Sequence, residues 1–524
     1  MKSVEELRKA CAEALAYLKA QSDIADAQVF MAANKHWLCR LNYTSHIRSN
    51  GLEEPKASQN FGTGVTIVFA DGKVGSGSAE SNTSIDGLRE ALAKAKIAAV
   101  KNPEFHGLPQ PEFGKPTLTD YHDNALMGLS NKQFVSIAWE VLRQGLRGAY
   151  DVWKTVALSS KKTDIPNPLD LNLIIGGDVQ LIRERMAVAS FAMPNVQTDE
   201  SSMTAVSITA MFEKLAAKGS GFFAGKTLNE LLHGGPEAAR SAINSAAATM
   251  SGSRIESGEH TVIFGPQAVA ELINNLVAPG LTAGAIFAEL SPFQEDFGKM
   301  IASPKLCIYD DGANPEFMGV KAITCEGLPT GRTDLVVDGK LAGLLSSHYD
   351  YQRMLWDPEG ARKLGVDPHE HKEALWPRNG FRFGGGAGRQ FSSDPSCSGS
   401  NTIVTSSEKE PLENLLQRVK QGVYIGRMWY VYPINGSRAG DFTGTVTADS
   451  YLIEDGKLSR PLKPNTVRIN DNIKTLLMKI VGVSDQLKPV NLWGADEAMY
   501  APDILVEGVK LESIGESVEM TRSM

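Results

Sequence analysis

The chain has 524 residues, a length at which one hydrophobic core gives way to several domains. Hydrophobic residues make up 42% and charged ones 22%, the composition of a soluble globular protein, and no 18-residue apolar run is present to cross a membrane. A net charge of −8 excludes a constitutive nucleic-acid binder, because phosphate recognition needs clustered cations.

The first predicted element is an amphipathic helix. Ser3-Val4-Glu5-Glu6 has capping-box spacing, and Leu7, Ala10, Cys11, Ala14 and Leu18 then share one face. The same charged opening lacks the apolar stretch of a secretory signal. Val65, Ile67 and Phe69 alternate ahead of Asp71-Gly72, a hairpin signal whose two central residues take positive φ. A small-residue strand, Val74 to Ala79, and a helix capped by Asp86 complete an α+β layer. The Pro-rich stretch Leu108 to Pro116 reads as a connection, since proline sustains neither helix nor central strand.

A helix follows from Asn131 to Ala149, then strands at Leu171 to Ile175, Met186 to Phe191 and Met203 to Met211. Glu237 to Met250 is helical by composition, and the main boundary falls just before it. The expected domains are therefore 1–110, a central α/β domain at 117–235, and a β-rich domain at 236–524. In the last of these, Thr261 to Phe264 is a strand stopped by Gly265-Pro266. A helical stripe of Val269, Leu272, Ile273 and Leu276 comes next, and Asp338-Gly339 and Asp455-Gly456 mark hairpins of a barrel-like sheet. Gly384 to Ser400 is glycine- and serine-rich and reads as a mobile or ligand-adjacent loop.

Five cysteines, Cys11, Cys39, Cys307, Cys325 and Cys397, form no Cys-x-x-Cys pair and fit a reducing, cytoplasmic setting. His369-Glu370-His371 holds two imidazoles one residue apart and is the one local alternative for a metal. No Gly-x-Ser-x-Gly elbow or phosphate-cradling Gly-x-x-x-x-Gly-Lys occurs.

Several segments carry a resemblance in the same order. They are the strand, Gly265-Pro266 and helix; Gly331 to Leu341; the helix Glu410 to Gln421; Gly440-Asp441-Phe442; Tyr451 to Leu458; and Ile473 to Val483. Together they resemble the C-terminal half of the TldD/PmbA family of metallopeptidase-related proteins. Gly64 to Phe69 with Asp71 to Gly75 resembles its N-terminal half more loosely. The resemblance implies an α+β fold with a layered N-terminal region and a barrel-like C-terminal domain. It also implies a cytosolic dimer that takes unfolded peptides into an internal cavity by β-strand addition. In the catalytic branch, His-Glu-x-x-x-His on a helix and a late cysteine hold zinc, and the glutamate activates the bound water.

This chain departs from that pattern. The helix Ala268 to Val277 has no histidine, and no cysteine follows Cys397. It therefore resembles the PmbA (TldE) branch, which implies no metal in this chain and zinc in a TldD-like catalytic partner. Arg332, Thr333, Gly440 and Asp441 are the expected groove-shaping or substrate-binding residues. Three functions remain open: a metal-free, pseudoenzyme subunit that holds extended peptide beside a zinc-bearing homologue; a metallopeptidase with ligands such as His369 and His371; and a homodimeric peptide-binding module.

Overall fold

The computed structural model describes residues 1–42, 50–110, 118, 121–160 and 167–514. The expected Pro-rich connection lies, beyond Gln110, outside the described residues. So does the end of the expected C-terminal domain, 515–524.

Helix α1 (Val4–Lys19) starts at the expected capping box, with Ser3 Oγ accepting from Glu6 N at 3.2 Å and the Glu6 carboxylate accepting from Ser3 N at 2.6 Å. Strands β1 (Ile24–Leu41), β2 (Leu52–Phe69) and β3 (Val74–Glu80) follow. In the β2–β3 turn only Gly72 has positive φ, not Asp71 as expected. Helix α2 (Ile85–Ala98) is capped by Ser84, whose hydroxyl accepts from Asp86 N at 3.2 Å, so the expected cap at Asp86 is displaced by two residues. After α3 (Asn124–Gly128) and α4 (Asn131–Ser160) come β4 (Leu173–Ser190), β5 (Gln197–Phe212), β6 (Ala217–Gly225) and α5 (Leu228–Ala248).

The six strands form one antiparallel sheet in the order β3-β2-β1-β4-β5-β6. β1 pairs with β4 from Gln28↔Ser190 to Leu41↔Gly177, so strands expected in two domains, 1–110 and 117–235, share a single sheet. β4 also joins what the sequence suggested were two strands. Its middle, Asp178 to Arg185, is polar enough to read as a loop. It stays extended because its side chains find partners on both faces.

One sheet face carries the four longer helices. Leu7, Cys11 and Leu18 of α1 and Leu88 and Leu92 of α2 cover Val29, Met31 and Ile67. Phe134 and Val141 of α4 and Leu231 and Ala242 of α5 cover Trp37, Leu181, Val206 and Ile208. The expected boundary before residue 236 falls inside α5. Pro236 removes a backbone donor there, but its stretch of the helix is buried on α4 and β5, where a Cβ on Gly235 would stand 3.0 Å from Val141.

The other face packs on the C-terminal half. β7 (Gly258–Phe264) pairs with Gln421–Pro433 and Ile504–Ser513, and Val467–Asn472 and Asp441–Glu454 complete a closed, five-stranded barrel. The expected Asp338-Gly339 and Asp455-Gly456 turns each have two positive φ values. A second sheet is built around Cys307–Asp311, Arg332–Val337, Asn401–Thr405 and Ala498–Ala501. The fold is thus α+β with a barrel-like C-terminal region.

Where the halves meet, Arg389 is fully buried and donates to Glu184 at 2.7 Å and to Asp199 at 2.5 Å. Lys321 reaches Glu184 and Ser201 Oγ, each at 3.0 Å. Burial alone would raise the Glu184 carboxyl, yet the charges of Lys321 and Arg389 outweigh it and hold Glu184 at about 2. At the sheet edge, Asp449 accepts from Ser220 N at 3.3 Å and from the hydroxyls of Ser220 and Ser245, and Thr249 Oγ1 accepts from Lys218 N at 3.0 Å.

The substitution Arg389→Met strips two buried carboxylates of their shared cation. It is expected to lower stability by about 3–5 kcal/mol, read as a fall in the urea midpoint. A shift equivalent to less than about 1 kcal/mol would mean that the cluster does not hold the halves together.

Candidate functional site

Gly265 ends β7, and Pro266, at the first helical position, starts α6 (Pro266–Leu272). The helix widens into a π-helical turn at Ile273–Val277, a geometry frequent at functional sites. Val269, Leu272, Ile273 and Leu276 are buried as the sequence predicts. Glu271 points from this helix into a cleft at the seam between the N-terminal sheet and the barrel.

With Glu271 as the glutamate of a His-Glu-x-x-x-His pattern, Ala270 and Asn275 stand at the two imidazole positions. Ala270 offers no donor atom. Asn275 Nδ2 donates to Glu271 Oε2 at 2.8 Å, and Gln267 Nε2 donates to Oε1 at 3.0 Å. Each carboxylate oxygen thus has an amide partner one helical step away. Burial raises the Glu271 carboxyl, opposed by the Asn275 bond, the charge of Arg427 and the Gln267 bond. Gln267 also accepts from Met428 N at 3.1 Å and donates to Met428 O, imitating a neighbouring strand along Gln421–Pro433. These groups do not fit zinc: an amide and an alanine replace imidazoles, and a single carboxylate is a poor set for that ion. No cluster of three His, Cys, Asp or Glu side chains suited to a metal occurs among the described residues.

The cleft is narrow and partly open to solvent, with about 30 Å³ of room for the centres of water-sized groups. The sheet contributes Asp178, Gln180, Ser207 and Phe222, the barrel contributes Trp429, and the segment Val490 to Trp493 closes the remaining side. Gln180 donates to Asn491 at 2.8 Å, and Asn491 donates to the carbonyls of Ala495 and Glu497 at 3.2 and 3.1 Å. Arg427 lies over the rings of Phe222 and Trp429, 4.7 and 5.4 Å from their centroids. Behind this wall, the Asp496 carboxylate accepts from the backbone N–H of Gly384, Gly386 and Gly388 at 3.0, 2.9 and 2.7 Å. The glycine-rich loop, expected to be mobile or ligand-adjacent, is pinned at its start by an internal anion, and the positive φ at Gly386 and Gly388 serves that grip.

The residues singled out in the sequence lie elsewhere. Arg332 is an exposed strand residue paired with Asp334 at 2.7 Å and stacked 3.9 Å from the Tyr309 ring, beside a buried Thr333 whose hydroxyl has no hydrogen-bond partner. Gly440, at φ 81, precedes Asp441, whose carboxylate accepts from Asn435 and Asn472, both at 2.9 Å. That is a turn lock, and Gly440 borders a different cavity with Leu276 and Ile473. The expected groove residues do not line the seam cleft. His369 packs against Trp356 at 5.2 Å and His371 against Phe297 at 5.0 Å, so the two imidazoles serve different aromatic partners. Gln267, Gln180, Asn491 and Trp493 escaped sequence reading. The spacing Gln267, Glu271, Asn275 along one helix was their only local signal.

Two further buried carboxyls brace the C-terminal half. Glu326 accepts from His348 N at 2.9 Å, at the start of the helix His348–Trp356, and Asp310 accepts from Asn379 Nδ2 and Ser400 N, both at 2.8 Å. Burial pushes both to about 7.

Residues 257–513 match the model of the PmbA/TldA metallopeptidase C-terminal domain, and residues 42–99 match that of PmbA/TldA metallopeptidase domain 1. The chain is 27% identical over 252 residues to a metalloprotease TldD homologue of Haemophilus influenzae, covering 47% of this chain and 45% of that protein. It is 25% identical over 281 residues to one of Buchnera aphidicola, covering 52% and 51%. It thus spans about half the length of these curated relatives, or less. TldE from Thermococcus kodakarensis superposes with a TM-score of 0.70 at 18% identity, over 96% of this chain and all of that one. A Thermotoga maritima protein named for modulation of DNA gyrase gives 0.69 at 17%, over 97% and 100%. These two structures share the fold. No helix among the described residues is long and apolar enough to cross a membrane.

Because the folded-state pKa of Glu326 is about 7, its burial costs nothing below the unfolded value near 4.5 and costs most once pH exceeds 7. Glu326→Gln is therefore expected to gain about 3 kcal/mol on the wild type between pH 4 and pH 8, measured by urea unfolding. Parallel pH profiles for the two proteins would show that Glu326 does not titrate with folding.

Proposed function

The chain belongs to the TldD/PmbA family, and from that premise we propose that it is a metal-free subunit in cytoplasmic proteolysis or peptide maturation. It holds extended peptide beside a zinc-bearing, TldD-like homologue, and the zinc and the general base come from that partner. One observation carries this reading. On the helix where His-Glu-x-x-x-His would lie, the glutamate remains but is held by Gln267 and Asn275, at 3.0 and 2.8 Å. A carboxylate so engaged is fixed in place, and the donors that would bring a metal to it are replaced by Ala270 and Asn275.

The cleft beside that glutamate supports peptide holding. It lies at the meeting of a sheet and a barrel, is narrow, and combines aromatic walls with hydrogen-bonding groups, a lining suited to one side chain of an extended segment. The relatives named metalloproteases support the reaction class, and the ligand substitutions in this chain favour chemistry on a second subunit.

The test is native mass spectrometry on the untagged protein from its own cells, combined with a peptidase assay. A heterodimer is expected, with one zinc that leaves with the partner, and the isolated chain is expected to be inactive. The isolated chain retaining stoichiometric zinc and cleaving peptides would overturn the proposal.

A further inference from the structure

The hydrogen-bond inventory of the seam cleft is lopsided. Gln267 spends both amide hydrogens, on Glu271 and on Met428 O, and Asn491 spends both on the carbonyls of Ala495 and Glu497. Gln180 spends one on Asn491. The carboxylates keep lone pairs to spare: each Glu271 oxygen takes one side-chain amide donor, at 3.0 and 2.8 Å, and each Asp178 oxygen takes one Arg40 nitrogen, at 3.0 and 3.5 Å. The three amides around the space have thus used all but one of their N–H donors, while the two carboxylates leave lone pairs open. A guest that only donates suits such a lining.

The walls point the same way. Arg427 already sits over Phe222 and Trp429, so these ring faces tolerate a guanidinium, while Trp493, 70% exposed at the mouth, is open to an incoming cation. Side chains that only donate and carry a cation are lysine and arginine. We propose that the seam cleft is a side-chain subsite for a lysine or arginine of an extended polypeptide segment. The assignment rests on the peptide-holding role above and names the kind of segment held. Arg427 acts on Glu271 and Arg40 on Asp178, so the cleft is near charge balance. Preference arises from lone pairs and ring faces, and its size is that of one charge-assisted hydrogen bond, about tenfold in affinity.

The test is fluorescence anisotropy with a labelled, unstructured peptide carrying one lysine, against the same peptide with norleucine there, on the full chain alone and with its homologue. The lysine peptide is expected to bind about tenfold more tightly. That margin should vanish in Glu271→Gln and in Trp493→Ala, and the latter removes an exposed ring, so it decides the matter if the former fails to fold. Equal affinity of the two peptides for the wild type overturns the subsite and leaves peptide holding intact. No binding of either peptide overturns peptide holding and the subsite with it.

Discussion

The whole molecule depends on a sheet whose central strands are buried on both faces and yet carry charge through their middle. Helices cover one face of β1 to β6, and the C-terminal half covers the other. An all-apolar core could have joined the two halves, but Glu184 and Asp199 stand at the junction and must be matched by Arg389 and Lys321. Taking four charges out of water is costly, and their mutual attraction offsets the cost only when the geometry is right. A displaced register would leave an uncompensated charge. The cluster therefore fixes how the halves meet.

The same cluster explains which parts of the fold were legible in the sequence. The opening helix, the hairpins at Asp338-Gly339 and Asp455-Gly456, and the helix after Gly265-Pro266 all follow from local chemistry, and they stand where capping, turn and periodicity rules put them. The middle of β4 does not. Arg183 donates to the carbonyls of Met127 and Leu129 on the helix face, while its neighbour Glu184 meets Arg389 on the other. Partners more than fifty or two hundred residues away in the chain make a polar stretch into a central strand, and no window of sequence contains both sides of such a pair. Pro236 inside α5 is a similar case, a local breaker overruled by tertiary burial.

The candidate site was legible mainly by what it lacks. Missing histidines and a missing late cysteine can be read directly from the sequence, and they directed attention to Glu271. The amide ladder that restrains Glu271 was signalled only by the four-residue spacing of Gln267, Glu271 and Asn275, and Trp493 and Asn491 lie far along the chain. Arg332 was chosen for the donors of its guanidinium and Asp441 for a side-chain-stabilised turn; Arg332 pairs with Asp334 at the surface, and Asp441 does lock its turn, through Asn435 and Asn472.

Asp449 has a further consequence at the outermost strand of the sheet. An open strand edge can template any extended chain it meets, and a protein whose proposed role brings it close to unfolded segments is exposed to that hazard. On β6 the backbone donors of Ser220 and Lys218 bond to the Asp449 carboxylate and the Thr249 hydroxyl of the same chain. At these two positions a side chain ends the ladder where another strand would have continued it, so cargo finds this stretch of the edge already occupied.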